Sequence, residues 1–473
     1  MTLYSILISI VIAGILGLLV RTRFRNPLLL GLSALAVFTF QPALPVRGLD
    51  FWLPILTLGI SVMAWIITTP RERRSWRVNW LAAVILAGIV VALGLTRSLG
   101  ISIPLTASRP PQFVQIVIVL GGIVLFALFL SRYVQPAKII LTSAFIFIIL
   151  LFIVLKVPAL AVLVSAGLRK LDHQSASLAS ALDVRWLGFF YIAFRILHTI
   201  RDRQNGRLPA VSLAEYIIYI IFFPALAAGP IDRIERFTGD LRSPLPVTTV
   251  DLGEAGKRLM IGLFKKFVVA DALALAALNA TNAIQVHKAG WAWLILYAYA
   301  FQIYFDFSGY TDIAIGMSRL MGFRLPENFK SPYLKPNLTQ FWNNWHITLT
   351  QWFRTYFFNP VTRALRTAKK QLPLPAIILI TQIGTMLLIG LWHGVTWNFV
   401  LWGLWHGVGL FIHNRWSDLT RLRFAKLSPR WQKLLNAGGV LLTFNFVTVG
   451  WVFFALPQPG ISFHFLRVLT GLG

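Results

Sequence analysis

Three histidines next to tryptophans stand in stretches that are otherwise apolar, and they are the side chains of this chain best suited to moving a proton. His346 closes Phe341-Trp342-Asn343-Asn344-Trp345-His346, His393 lies in Gly390-Leu391-Trp392-His393-Gly394, and Trp405-His406-Gly407 echoes the second. An imidazole inside a hydrophobic segment is costly to bury, so its presence argues for a use as general base, general acid or proton relay. The plainer reading is anchoring, because amphipathic rings collect at the headgroup level of a membrane. Two such motifs within one stretch, Asn337 to Gly407, bracketed by Trp and by Asn or Gly, favour a site.

The elements that must position these rings follow from periodicity. Leu338, Phe341, Trp342, Trp345, Leu349, Trp352, Phe353 and Tyr356 recur at helical spacing, while Thr339, Asn343, His346, Thr350 and Arg354 form a polar stripe of the same period. The pattern predicts one amphipathic helix carrying His346 on its polar face, at the interface or lining a channel. Residues 374–392 hold little that is polar beyond Thr381, Gln382 and Thr385, and deliver His393 at the C-terminal end of a helix. A helix C-terminus favours the imidazolium, whereas burial favours the neutral ring that a base requires. Asp306 and Asp312 are six residues apart, about 600° around a helix, so they do not share a face and a paired-carboxylate hydrolase is disfavoured. They are expected to hold neighbouring helices through Tyr, Ser, Arg or backbone groups.

The chain has 473 residues, of which 57% are hydrophobic and 14% aromatic, with a mean hydropathy of +0.71. Long apolar runs joined by short basic connections define an all-α polytopic membrane protein, and the absence of alternation excludes a β-barrel. The 44 Lys and Arg against 16 Asp and Glu give a formal charge of +28. They cluster in loops beside the apolar runs, the pattern that sets topology and holds anionic lipids, so nucleic acid is not an expected partner. The chain has no cysteine, which removes disulfides, thiolate metal sites and a cysteine acyl-enzyme, and with them the Asp-His-His-Cys palmitoyltransferases.

In order, spans are expected at 2–20, 28–40, 51–69, 80–95, 113–130 and 139–155, as scaffold. Arg21, Arg23 and Arg25, then Arg71, Arg73, Arg74 and Arg77, put those loops in the cytoplasm and the N-terminus outside. A mixed loop follows at 156–185. From Trp186 a helix carries Arg195, read as snorkelling, and His198. Residues 211–228 run into Phe222 to Arg233, where Pro224, Gly229 and Pro230 must break the helix beside a cavity. Then come a polar connection at 234–256, a helix whose Lys257, Arg258, Lys265 and Lys266 mark a cytoplasmic face, and a segment at 291–317. A loop holding Pro326, Pro332 and Pro336 leads to the histidine stretch. A basic loop with Arg363, Arg366, Lys369 and Lys370 separates the two histidines, and helices at 397–413 and 434–456 flank a basic run at 421–433.

Five ordered blocks resemble the membrane-bound O-acyltransferase family, in the branch that acetylates alginate and D-alanylates teichoic acid. They are Phe222 to Arg233, Gly262 to Lys266 with Asp271, Tyr304 to Gly316, Phe341 to Trp352, and Gly390 to Gly403. The resemblance runs from about Leu187 to Phe454 and implies a catalytic core at 186–473 behind N-terminal scaffold helices at 1–185. It implies a ring of roughly 11–13 transmembrane helices, with re-entrant or interfacial ones, around a central tunnel. It makes His393 and His346 the catalytic pair, and Asn343, Thr350, Trp392, Asn398, Asp306, Ser308 and Tyr310 tunnel-lining, with no metal. Here Asn343-Asn344 replace the family's usual basic residues, and Thr355 its Asp.

The function so implied is transfer of a small acyl group, acetyl above all, to hydroxyls of an exported cell-envelope polymer. The donor is a cytosolic thioester such as acetyl-CoA or an acyl-carrier thioester, with no tightly bound cofactor. The expected location is the bacterial plasma membrane, beside an extracytoplasmic acyltransferase partner. His393 would deprotonate the hydroxyl while His346 and Asn343 orient the donor carbonyl or stabilise its oxyanion. The alternative from another class is a proton-coupled transporter or flippase, and the alternative enzyme acylates lipid or protein with long chains.

Overall fold

The computed structural model describes every residue except 1, 20–21, 102–103, 244–246, 369–371 and 473, so the reading of Arg21, Lys369 and Lys370 lies outside the described residues. Among those described there is no strand. Among the described residues six helices are long and apolar enough to cross a membrane: Leu49–Thr68, Trp76–Ser98, Phe113–Tyr133, Lys138–Lys156, Leu374–His393 and Pro429–Ala455. Shorter apolar helices cover Leu3–Leu18, Arg25–Phe40 and Leu213–Ile221, the last followed by a single helical turn at Phe223–Ala225. The chain packs as two compact units, Met1–Leu259 with Ile313–Pro326, and Met260–Asp312 with Glu327–Gly473. This division by packing is a different quantity from the split at 185/186, which follows sequence blocks.

Several connections are helical where the sequence suggests loops. Residues expected in a mixed loop form helix Pro158–Leu171, whose polar face is satisfied from outside: Ser165 Oγ and Arg169 Nε donate to Asp183 Oδ2 at 2.7 and 2.8 Å. Desolvation pushes the Asp183 carboxyl up, but these donors and the Ser180 N–H together hold it below the usual range. The polar connection at 234–256 contains helix Ile234–Arg242, which buries Ile234, Phe237, Thr238 and Leu241 at helical spacing, and then the start of helix Thr249–Phe264. Arg363 and Arg366 lie in helix Asn359–Arg366. The basic run at 421–433 is divided between the end of helix Trp397–Ala425 and the start of helix Pro429–Ala455.

Arginines read as loop or snorkelling cations are buried clamps in the first unit. Arg74 donates to the carbonyls of Thr69, Leu130, Ser131 and Val134, and Arg25 to those of Leu241 and Met321. Arg195, 2% exposed, is the correction with most consequence. Helix Leu213–Ile221 ends just before Pro224, and Arg195 reaches across to the carbonyls of Tyr219 (3.2 Å), Ile220 (2.8 Å) and Ala225 (3.0 Å). A broken helix leaves carbonyls without partners, and one guanidinium supplies several donors at once. Arg195→Met should therefore cost on the order of 3 kcal/mol, seen as a lower melting midpoint of the purified protein. An unchanged midpoint would show that the break holds itself.

In the second unit Gly309 sets a close helix crossing. A Cβ there would lie 2.8 Å from Gly262 O and 2.9 Å from Lys266 N. The crossing is held on either side by Lys265 to Asp312 (2.7 Å) and Lys266 to Asp306 (2.5 Å). So the two carboxylates do brace neighbouring helix segments, but through lysines, and those lysines point at carboxylates rather than serving only as markers of a membrane face.

Candidate active site

His393 is the last residue of helix Leu374–His393, and the chain turns within three residues into helix Trp397–Ala425. The two helices pack through glycines of a repeated pentapeptide, Gly-Leu-Trp-His-Gly, at 390–394 and 403–407. A Cβ on Gly390 would fall 2.3 Å from Phe399 O, on Gly394 2.6 Å from Phe399 Cε2, on Gly403 2.7 Å from Met386 O, and on Gly407 2.9 Å from Ile383 Cα. Small residues four apart let helix backbones approach in an environment where the hydrophobic effect does not drive helices together. That approach builds an aromatic box around the half-buried His393. Its ring centroid lies 4.5 Å from Trp392, 4.7 Å from Phe454, 5.7 Å from Trp402 and 6.0 Å from Phe399.

His346 is not on a continuous helix. Helix Leu338–Trp342 stops, and a second helix, Ile347–Phe353, starts with His346 as its N-cap in the left-handed conformation, φ +41° and ψ +55°. Such a conformation is uncommon outside glycine and costs of order 1 kcal/mol or more, so the surroundings must impose it. They do so through Asn328. Its carbonyl accepts Ile347 N–H at 3.0 Å, and its Oδ1 accepts Thr348 N–H at 3.1 Å and Thr348 Oγ at 2.7 Å. The first amides of the second helix are thereby capped from another part of the chain. The His346 ring is 2% exposed, edge-on to Phe307 at 4.7 Å and 6.1 Å from Trp392. Trp392 thus touches both imidazoles.

The predicted apolar face survives the break, since Leu338, Phe341, Trp342, Trp345, Leu349 and Phe353 are all buried. The polar stripe survives in part. Thr339, Thr350 and Arg354 line a cavity of about 230 Å³ with Gln382 and Thr385, and exposed Asn343 holds Arg354 at 2.6 Å through its Oδ1. His346 is not among the residues lining it. Asn398 is a brace: its Nδ2 donates to Leu456 O at 2.6 Å and Ser462 Oγ at 3.0 Å. Asp306 pairs with Lys266, while Ser308 and Tyr310 are buried. His406 is fully buried among Trp342, Trp402 and Phe446, against Gly450, which suits a packing role.

Sequence reasoning missed Phe307, Trp402, Phe454 and Asn328. The first three lie in or beside recognised motifs. Asn328 carries only the weak signal of a turn-forming residue between Pro326 and Pro332. Among the described residues one trio could approach a metal: His198, Asp202 and Glu235, with ligand atoms within 4.8 Å. His198 already pairs with Asp202 at 2.8 Å and with Tyr219 OH at 3.1 Å.

A family model described as "MBOAT, membrane-bound O-acyltransferase family" matches residues 126–456, more than two thirds of the chain. The protein belongs to that family, which decides between the classes left open above: it falls among acyltransferases, not transporters. It is 31% identical over 287 residues to the teichoic acid D-alanyltransferase of Streptococcus thermophilus, covering 58% of this chain and 68% of that one. It is 34% identical over 289 residues to the probable alginate O-acetylase of Pseudomonas aeruginosa, covering 61% and 52%. With the peptidoglycan O-acetyltransferase of Helicobacter pylori it shares 36% over 262 residues, covering 54% and 47%. The chain thus spans about two thirds of the D-alanyltransferase and about half of the two O-acetylases.

Proposed function

We propose that this protein moves a small acyl group, acetyl first among candidates, from a cytosolic thioester to hydroxyls of an exported cell-envelope polymer. The observation that carries the reading is the aromatic box around His393 at the end of a membrane-length helix, with a second imidazole one ring away. The names of the relatives support a polymer acceptor and a short acyl group.

The step balances without a covalent enzyme intermediate. His393 takes the hydroxyl proton, the oxygen attacks the thioester carbonyl, and the tetrahedral intermediate expels the thiolate. The thiolate then takes the proton from His393, leaving an ester and a free thiol. Apolar rings on four sides keep bulk water from the thioester, which would otherwise hydrolyse. The cavity that sets Thr350, Arg354 and Gln382 among apolar residues such as Trp342, Met386 and Ile389 offers a few hydrogen-bonding groups and one cation to part of such a donor's arm. The arginine-rich loops face the cytoplasm, the N-terminus lies outside, and a partner enzyme completes delivery beyond the membrane.

The test uses purified protein in liposomes supplied with radiolabelled acetyl-CoA or an acyl-carrier thioester and a polymer acceptor. The expected result is release of free thiol in step with label appearing in an alkali-labile O-ester, dependent on His393. Uptake of an intact solute with no ester formed would overturn the proposal.

A further inference from the structure

We propose that Asn328 is a positioning residue that fixes His346 as the Nδ1–H tautomer, so that His346 Nε2 faces the reacting groups as a hydrogen-bond acceptor. The inference rests on the acyltransferase reading and assigns a proton within its site. The identity of the Asn328 side-chain oxygen is set by Thr348, whose backbone N–H can only donate, at 3.1 Å, with the Thr348 hydroxyl at 2.7 Å. The atom facing His346 Nδ1 at 3.3 Å is that same oxygen, which can only accept. Nδ1 must therefore carry the proton, and in a neutral ring Nε2 is then a bare lone pair. That nitrogen is buried and has no hydrogen-bond partner among the described residues. A buried acceptor aimed at nothing is costly unless a substrate supplies the donor.

The consequence differs from the role expected on sequence grounds. An oxyanion is stabilised by donors, and a neutral Nδ1–H imidazole has no proton at Nε2 to donate. It can accept one from a neighbouring hydroxyl of the acceptor polymer, orienting the polymer so that the hydroxyl whose proton His393 takes is held for attack. Asn328 is suited to the task because it is fully buried, its main chain caps the helix that begins at His346, and Lys330 N–H to Asn344 O at 3.1 Å ties the same two segments a second time. The left-handed His346 and its ring proton are thus set by one residue 18 positions away.

Two measurements test this. In protein labelled with [15N]histidine, with the His346 signals identified by their loss in His346→Gln, wild type should show a protonated, pyrrole-type Nδ1 and a pyridine-type Nε2. The reverse assignment overturns the proposal, whatever any variant does. In the thiol-release assay Asn328→Ala should lower kcat on the order of 10- to 100-fold with KM little changed. Asn328→Asp keeps an acceptor oxygen while removing the amide N–H groups, so it should recover most of that loss. Its carboxylate stabilises the imidazolium, raising the pKa of His346, and the acidic limb of the pH profile should move to higher pH. If Asn328→Asp is as inactive as Asn328→Ala, the amide nitrogen is the working atom and the proposal fails. Should Asn328→Ala not fold, the nitrogen assignment and the Asn328→Asp profile still decide. Wild-type protein that releases no thiol defeats the acyltransferase reading itself, whereas active wild type with an unaffected Asn328→Ala defeats only the positioning role.

Discussion

Replacing His393 with alanine should lower acyl transfer by at least about 100-fold, the contribution of a well-placed general base, while the protein still reaches the membrane at its usual level and melts where wild type does. The reason for the second half is geometric. The His393 ring is half-buried at a helix end, and of its neighbours Trp402, Phe399 and Phe454 also contact one another or other rings while Trp392 also meets His346. The box therefore keeps most of its packing when the imidazole is lost, whereas the chemistry loses the ring that takes the hydroxyl proton. Detergent-solubilised His393→Ala, compared with wild type for thiol release and for melting midpoint, checks both halves. Retention of most polymer acylation would show that another group takes the proton.

Gly403→Leu should lose activity for the opposite reason, by taking the helix pair apart. A Cβ alone at 403 meets backbone, Met386 O at 2.7 Å and Leu387 Cα at 2.9 Å, and backbone cannot rotate out of the way as a side chain can. Overpacking of a tight contact costs about 1–3 kcal/mol, and a whole leucine has more to accommodate than a methyl. The helices must separate, which carries Trp402 and Phe399 away from His393. Activity and melting midpoint should fall together. Gly438→Leu, at a helical glycine with nothing within 4 Å of its Cβ position, should leave both nearly unchanged. If Gly403→Leu keeps its melting midpoint, the glycines are not what sets the spacing.

The contrast between these variants separates what was legible in the linear chain from what was not. Apolar run length is local information, so helix Leu374–His393 and the place of His393 at its end follow from composition alone. The same holds for helix Phe113–Tyr133 and helix Lys138–Lys156, whose ends fall within three residues of the expected ones. The all-α membrane class, the missing cysteine and the two candidate histidines need no fold to be seen.

Periodicity failed where a distant residue intervenes. Residues 338 to 356 keep a helical repeat across the break at 343–346, because the apolar positions on both sides still reach one core, and only Asn328 shows where the chain must stop and restart. Buried charge failed in the same way. Whether a lysine or arginine lies against lipid headgroups or inside the protein depends on whether carbonyls or carboxylates wait for it there. Arg195 with the broken helix before Pro224, and Lys265 with Asp312, meet partners 24 to 47 residues away. Sequence fixes which polar groups a membrane chain contains. Tertiary structure alone decides how each is satisfied, because in a low-dielectric interior an unpaired group is too costly to leave and its partner can come from any segment that packs beside it.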